Sequence, residues 1–196
     1  TDAYSAYDSF DTEKIKLLHC MAHARRMFEK ALDNDQARAN HALFKIQSLY
    51  AIERYLRENK ISVDEKLKLR QEDAVPILQE MHLWMKEEII KVTPQSLIGK
   101  AIAYSLSRWD KLSLYASDGS LEIDNNLIEN SIRPVAIGRK NYLFAGSHDA
   151  AQRAAVIYSL LGTCKKNNIE PFEWLKSTIA KIADHKANKL IELLPV

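Results

Sequence analysis

The sequence is poor in residues that interrupt helices, with five glycines and five prolines among 196 residues. Long stretches can therefore run as helix without a break. It holds two cysteines, Cys20 and Cys164, too few and too far apart in sequence for a disulfide framework, which fits a reducing compartment such as the cytoplasm. No apolar run approaches the roughly 18 residues that a membrane span requires, and the opening residues do not read as a signal peptide. A strong charge of one sign is also lacking. The formal net charge of +2 does not by itself point to a polyanionic partner, although local clusters set the field at a site. The rest, 46% hydrophobic and 28% charged, is ordinary for a globular chain with one sizeable core. The chain opens on Thr1-Asp2 without Met and reads as part of something longer.

Periodicity predicts a mainly helical chain. Ile15, Leu17 and Leu18 form a short apolar run that suits a buried strand. From Ala22 the pattern turns helical, with Phe28, Leu32, Leu43, Ile46, Tyr50 and Leu56 on a repeat of three to four and a break at Asp33-Asn34-Asp35. Val75, Leu78, Met81, Met85 and Ile89 define a second stripe, which Pro76 kinks or restarts. Leu97, Ala101, Tyr104, Trp109 and Leu112 make a third. Asp118-Gly119 signals a turn and Leu121-Glu122-Ile123 a short extended segment. Two further helices are expected over residues 147–166, with Val156, Leu160 and Leu161 inward, and over residues 171–183, with Pro171 in the first turn. Trp84, Trp109 and Trp174 are expected in the core. Eight basic and nine acidic residues between Glu53 and Lys91 describe a solvated helical surface, not a continuous cationic stripe.

The densest polar cluster is Asp124-Asn125-Asn126-Leu127-Ile128-Glu129-Asn130-Ser131-Ile132-Arg133-Pro134. A helix starting at Asn125 or Asn126 puts Glu129 and Arg133 on one face. Two readings are open on spacing alone: a capping box between Asn126 and Glu129, or a surface pair. Next comes Gly138-Arg139-Lys140-Asn141-Tyr142-Leu143-Phe144-Ala145-Gly146-Ser147. Its guanidinium, ammonium and amide can fork onto phosphate, add a point charge and orient a nucleotide edge. It also reads as a solvated turn before a strand. Cys20-x-x-His23 has the spacing of half a zinc site, but structural zinc takes four ligands; a buried thiol and a helix-borne histidine are expected instead.

These two runs resemble the C-terminal signature of the insertion-sequence family sixty-six transposases. The resemblance extends to Thr1-Asp2-Ala3-Tyr4-Ser5-Ala6-Tyr7, to Cys20-Met21-Ala22-His23-Ala24-Arg25-Arg26-Met27-Phe28, to Arg153–Leu160 and to Pro171-Phe172-Glu173-Trp174-Leu175. The matches run in order through nearly the whole chain and thin out in its helical middle.

The resemblance implies a DDE-type enzyme with a ribonuclease-H-like fold, in which two aspartates and a glutamate hold two divalent ions. Hard carboxylate oxygens suit Mg²⁺ or Mn²⁺. Two such ions about 3.5–4 Å apart serve the attacking and leaving oxygens of a phosphodiester. Carried over by position, Asp2 is the second aspartate and Glu129 the glutamate, both catalytic and metal-binding. Arg133, Arg139, Lys140 and Asn141 are the candidate DNA contacts, with Arg25 and Arg26 behind them. The implied fold is mainly α, an incomplete ribonuclease-H-like core with few short strands and a large helical insertion. Residues 1–27 hold the second-aspartate segment, 28–118 the insertion, and 119–196 the glutamate-bearing and C-terminal helices. The implied partners are transposon-end and target DNA, with a homo-oligomer for synapsis, in the nucleoid of a bacterial cytoplasm. The family's first aspartate falls ahead of Thr1, and Asp8 and Asp11 sit too close to Asp2 to replace it. The isolated chain is therefore expected to bind Mg²⁺ weakly and leave DNA uncut. Two other roles fit the same residues: a non-catalytic DNA-binding or assembly module, and a helical interaction domain in which Asn126 and Glu129 form only a cap.

Overall fold

The computed structural model describes residues 9–12 and 15–195. Asp2, Tyr4, Tyr7 and Asp8 lie outside the described residues. The described part is helical: α1 (Met21–Lys30), α2 (Gln36–Glu58), α3 (Val63–Leu69), α4 (Val75–Glu88), α5 (Leu97–Leu106), α6 (Trp109–Ser113), α7 (Asn126–Tyr142), α8 (His148–Lys166) and α9 (Pro171–Ile182). No strand occurs among the described residues. The expected strand at Ile15–Leu18 is irregular backbone, as is the segment around Leu121–Ile123. The reason is pairing: here His19 N–H donates to the Lys111 carbonyl and Met21 N–H to the Ile123 carbonyl. These are single bonds between crossing segments, whereas a strand requires a ladder. The helices sort into two compact units, Thr1–Leu127 and Ile128–Val196.

In the first unit α1 packs on α2 and α5, and α4 packs on α2 and α5. The long α2 buries Ala39, Ala42, Ile46, Leu49, Glu53 and Leu56. That alternating spacing of three and four keeps one stripe facing inward. Phe28, Leu78, Met81, Met85, Ile98, Ile102, Leu112 and Tyr115 complete the core, while Trp84 is packed against it and half-buried. The break predicted at Asp33–Asp35 is a cap, with the Asp35 carboxylate accepting from Arg38 N–H at 3.1 Å. Arg38 then bonds Asp35 at 2.7 Å and Glu88 at 2.6 Å, tying the start of α2 to the end of α4.

Pro76 has no N–H for the carbonyl four residues back. It lies in the first turn of α4, where that N–H is not needed. Between α3 and α4, residues Arg70–Ala74 form one wide π turn, which shifts the bonding register and lets a new helix start at Val75. That turn places Arg70 inside the core at 1% exposure, against Glu53 at 4%. The guanidinium forks onto Glu53 at 2.8 and 2.6 Å. Its remaining hydrogens go to the carbonyls of Tyr115 (3.1 Å), Asp118 (2.7 Å) and Leu121 (2.9 Å). All five donors of the fork are thereby used. Tyr115 lies under the cation, and burial, then the Glu53 charge, raises its phenol pKa. The turn at Asp118-Gly119 is pressed against the start of α3: a Cβ on Gly119 would lie 1.9 Å from the Val63 carbonyl oxygen.

The second unit holds most of α7 with α8, α9 and a 3₁₀ segment over Ala187–Leu193. Ser147 caps α8 through Ala150 N–H, and Glu170 caps α9 through Glu173 N–H, with Pro171 in the first turn as expected. Trp174 donates to the Leu193 carbonyl at 3.0 Å, and the Asn167 amide donates to that of Pro195 at 2.8 Å. Trp174 is half-buried, and among residues 128–195 only Cys164 and Pro195 are buried. Val156, expected inward, is exposed because nothing in the unit covers its row of α8.

Arg70→Met should cost about 3–5 kcal/mol, because it leaves Glu53 charged and three carbonyls unpaired. Urea unfolding followed by circular dichroism measures this, and a loss under about 1 kcal/mol would refute the clamp. Gly119→Ala should destabilise strongly, since backbone must move to admit the methyl group. Gly162→Ala in α8, where a Cβ meets nothing within 4 Å, should instead stabilise the helix by about 0.5–1 kcal/mol.

Candidate functional site

Helix α7 begins under the control of Asp124. One carboxylate oxygen accepts Asn126 N–H at 3.0 Å; the other accepts the Asn126 amide at 2.7 Å and the Tyr50 hydroxyl at 2.8 Å. The first bond satisfies a helix-start donor through a short local loop. The third reaches back to α2. Burial, then the bond to Asp124, raises the Tyr50 phenol pKa, so Tyr50 stays a donor. The expected capping residue was Asn126. The structure shows an Asx turn at Asp124, whose carboxylate accepts the N–H of Asn126, the first helical residue. The signal was present in sequence, since an aspartate two residues ahead of a helix start readily forms such a turn.

Glu129 lies in the first turn of α7 and is half-buried. Helix geometry sets Glu129, Arg133 and Lys140 within about 40° of one another around the axis, over a rise of about 16 Å. Arg139 and Asn141 stand about 100° to either side of Lys140. Arg133, Arg139, Lys140 and Asn141 are all exposed. The stretch expected to be a turn at Gly138–Asn141 is thus the last part of a continuous helix, despite Pro134 within it. Gly138 is a point of close approach instead: a Cβ there would meet the Tyr158 hydroxyl at 3.0 Å and the Tyr142 ring at 3.1 Å. Tyr142 hydrogen-bonds Tyr158, which raises its pKa. The chain turns only afterwards, with Leu143 at φ 59° and Gly146 at φ 81°. Arg139 and Lys140 in the last turn of α7 also complement the helix dipole.

The other candidates separate clearly. Arg25 is paired with Glu29 along α1 at 3.0 Å. Asp11 is paired with Lys111 at 2.7 Å, and that bond, with Leu17 N–H, holds its carboxyl below the usual range. Cys20 is a buried free thiol at the start of α1. Among the described residues no group of three His, Cys, Asp or Glu side chains could hold a metal ion. Glu129 offers one hard oxygen donor of the kind Mg²⁺ takes. The described residues alone do not complete a site around it. No helix of the described chain is long and apolar enough to cross a membrane.

Removing the Asp124 latch should fray the start of α7. In Asp124→Ala, and more mildly in Tyr50→Phe, amide exchange at Asn126 should quicken, with a stability loss of about 0.5–2 kcal/mol for the alanine. Unchanged exchange at Asn126 in Asp124→Ala would rule the latch out.

Comparison with known proteins gives two family matches, the Transposase IS66 family over residues 1–153 and the IS66 C-terminal element over residues 159–196. The uncharacterized protein y4hP of Sinorhizobium fredii is 35% identical over all of this chain, which spans 38% of that relative. The uncharacterized protein y4qI of the same organism is 33% identical over 99% of the chain and is likewise covered to 38%. The uncharacterized protein YuaK of Escherichia coli is 47% identical over a quarter of the chain, covering 52% of YuaK. No solved structure matches.

Proposed function

The chain belongs to the IS66 transposase family, and we propose on that premise that α7 is the element with which the complete protein grips and processes DNA. In this reading Glu129 and Asp2 are two of the carboxylates that bind Mg²⁺ or Mn²⁺. Arg133, Arg139, Lys140 and Asn141 contact the DNA. Bound to such carboxylates, the ions would supply Lewis acidity at the phosphodiester undergoing strand cleavage and transfer. Residues 1–27 and 119–196 then belong to a ribonuclease-H-like core, and residues 28–118 form a helical insertion. Bringing two DNA ends together calls for a homo-oligomer.

The observation that carries this reading is that half-buried Glu129 and exposed Arg133 and Lys140 share one face of α7. Charge distribution supports it. Residues 128–196 carry ten basic and six acidic side chains, against 18 basic and 20 acidic in residues 1–127. The near-neutral total conceals a basic C-terminal unit of the kind that phosphate backbones attract. The family resemblance puts a further aspartate ahead of Asp2, so this chain by itself should bind Mg²⁺ weakly and not cut DNA.

Titrating the 196-residue chain with fluorescent duplex DNA across a salt series tests the reading. Affinity should fall steeply with salt, and Arg133→Gln and Lys140→Gln should each flatten the log–log slope by about 1. Glu129→Gln should tighten binding in EDTA, because it removes a negative charge facing phosphate. Salt-independent binding, or no response to these three changes, would overturn the proposal.

A further inference from the structure

The turn that ends α7 presents two large apolar side chains to water. Leu143 is 78% exposed and Phe144 77%. Leu143 takes up a left-handed conformation, φ 59°, that a leucine rarely adopts. Its N–H closes the helix on the Arg139 carbonyl at 2.8 Å, and Phe144 N–H turns back to the Tyr142 carbonyl at 2.6 Å. The backbone of the turn is therefore held by its own hydrogen bonds while both side chains point away from the unit. This differs from the exposed apolar row of α9, which runs beside Glu170 and Glu173. From Asn130 to His148 the chain has no acidic residue, and its charges are Arg133, Arg139 and Lys140.

We propose that the Leu143-Phe144 turn is a wedge for DNA, with the Phe144 ring stacking on an unpaired or unstacked base and Leu143 filling the gap beside it. Arg139 and Lys140, one turn back on α7, hold the adjoining phosphates. The occupant follows from the surroundings. An acid-free cationic rim suits a polyanion, and a nucleic acid supplies phosphate charge and a π-face together. Stacking on an aromatic side chain does not depend on base identity, and apolar wedges enter base steps in the same way. The proposal rests on the reading of α7 as DNA-facing and adds the form of DNA preferred: an end or site where a base has left the duplex.

The test compares two fluorescent probes, a blunt duplex and the same duplex with a short single-stranded 3′ overhang, titrated with the 196-residue chain. The native chain should bind the overhang probe more tightly. Phe144→Ala and Phe144→Leu should weaken overhang binding by roughly tenfold, within the range for loss of one base stack. Both should leave blunt-duplex affinity and its salt slope unchanged, and Phe144→Trp should retain the preference. Because Phe144 is exposed, these variants should keep the native circular dichroism. Equal binding of both probes by the native chain, or Phe144→Leu matching it, would overturn the wedge alone. So would equal losses on both probes, or a change in self-association instead of DNA binding. Absence of salt-dependent affinity for either probe would defeat the α7 reading as well.

Discussion

The buried ion pair between Arg70 and Glu53 organises the first unit. A charge pair taken out of water is costly unless every donor and acceptor finds a partner. Here the cost is met through geometry: the π turn before Pro76 swings Arg70 inward, and α2 offers Glu53 on its buried stripe. The three leftover donors then capture the carbonyls of Tyr115, Asp118 and Leu121, where the chain passes from a 3₁₀ turn at Leu114–Ser117 into irregular backbone. One side chain thus does the work of a secondary-structure partner for an irregular loop. That loop leads directly to Asp124 and the start of α7.

From Asp118 to Asn126 the path is specified by successive local devices. Arg70 holds carbonyls, Gly119 permits contact with Val63, and Asp124 takes Tyr50 and Asn126. The polar residues so dense in the sequence around Asp124 divide in two along the chain. Asp124 and Asn126 build the helix start, and Glu129 and Arg133 follow on α7 itself.

Helical stripes were legible from periodicity because apolar spacing dictates the buried face: Phe28, Ile46, Leu78, Met81, Met85 and Ala101 all entered the core. What periodicity missed was carried by single residues whose meaning depends on a distant partner. Nothing local marks Arg70 as buried, since an arginine among charged neighbours looks solvated. Gly138 looked like a turn residue, and its role emerges only when the Tyr158 hydroxyl arrives from α8. The strand readings failed because a short apolar run becomes a strand only where another lies beside it, and the first unit offers helices. The block Asp124–Asn141 was legible as a family resemblance, while the continuous helix through Pro134 and the turn at Leu143 required the structure.

The second unit, with Cys164 and Pro195 as its only buried described residues, has a thermodynamic consequence. Helices that bury little apolar surface draw little tertiary stabilisation and open in small local steps. Covering the exposed rows at Val156, Ile157, Phe172 and Ile179 would add the burial that α8 and α9 lack. Binding there and the melting of these helices are one linked equilibrium, so an engaged molecule would carry this unit in a stiffer form than a free one.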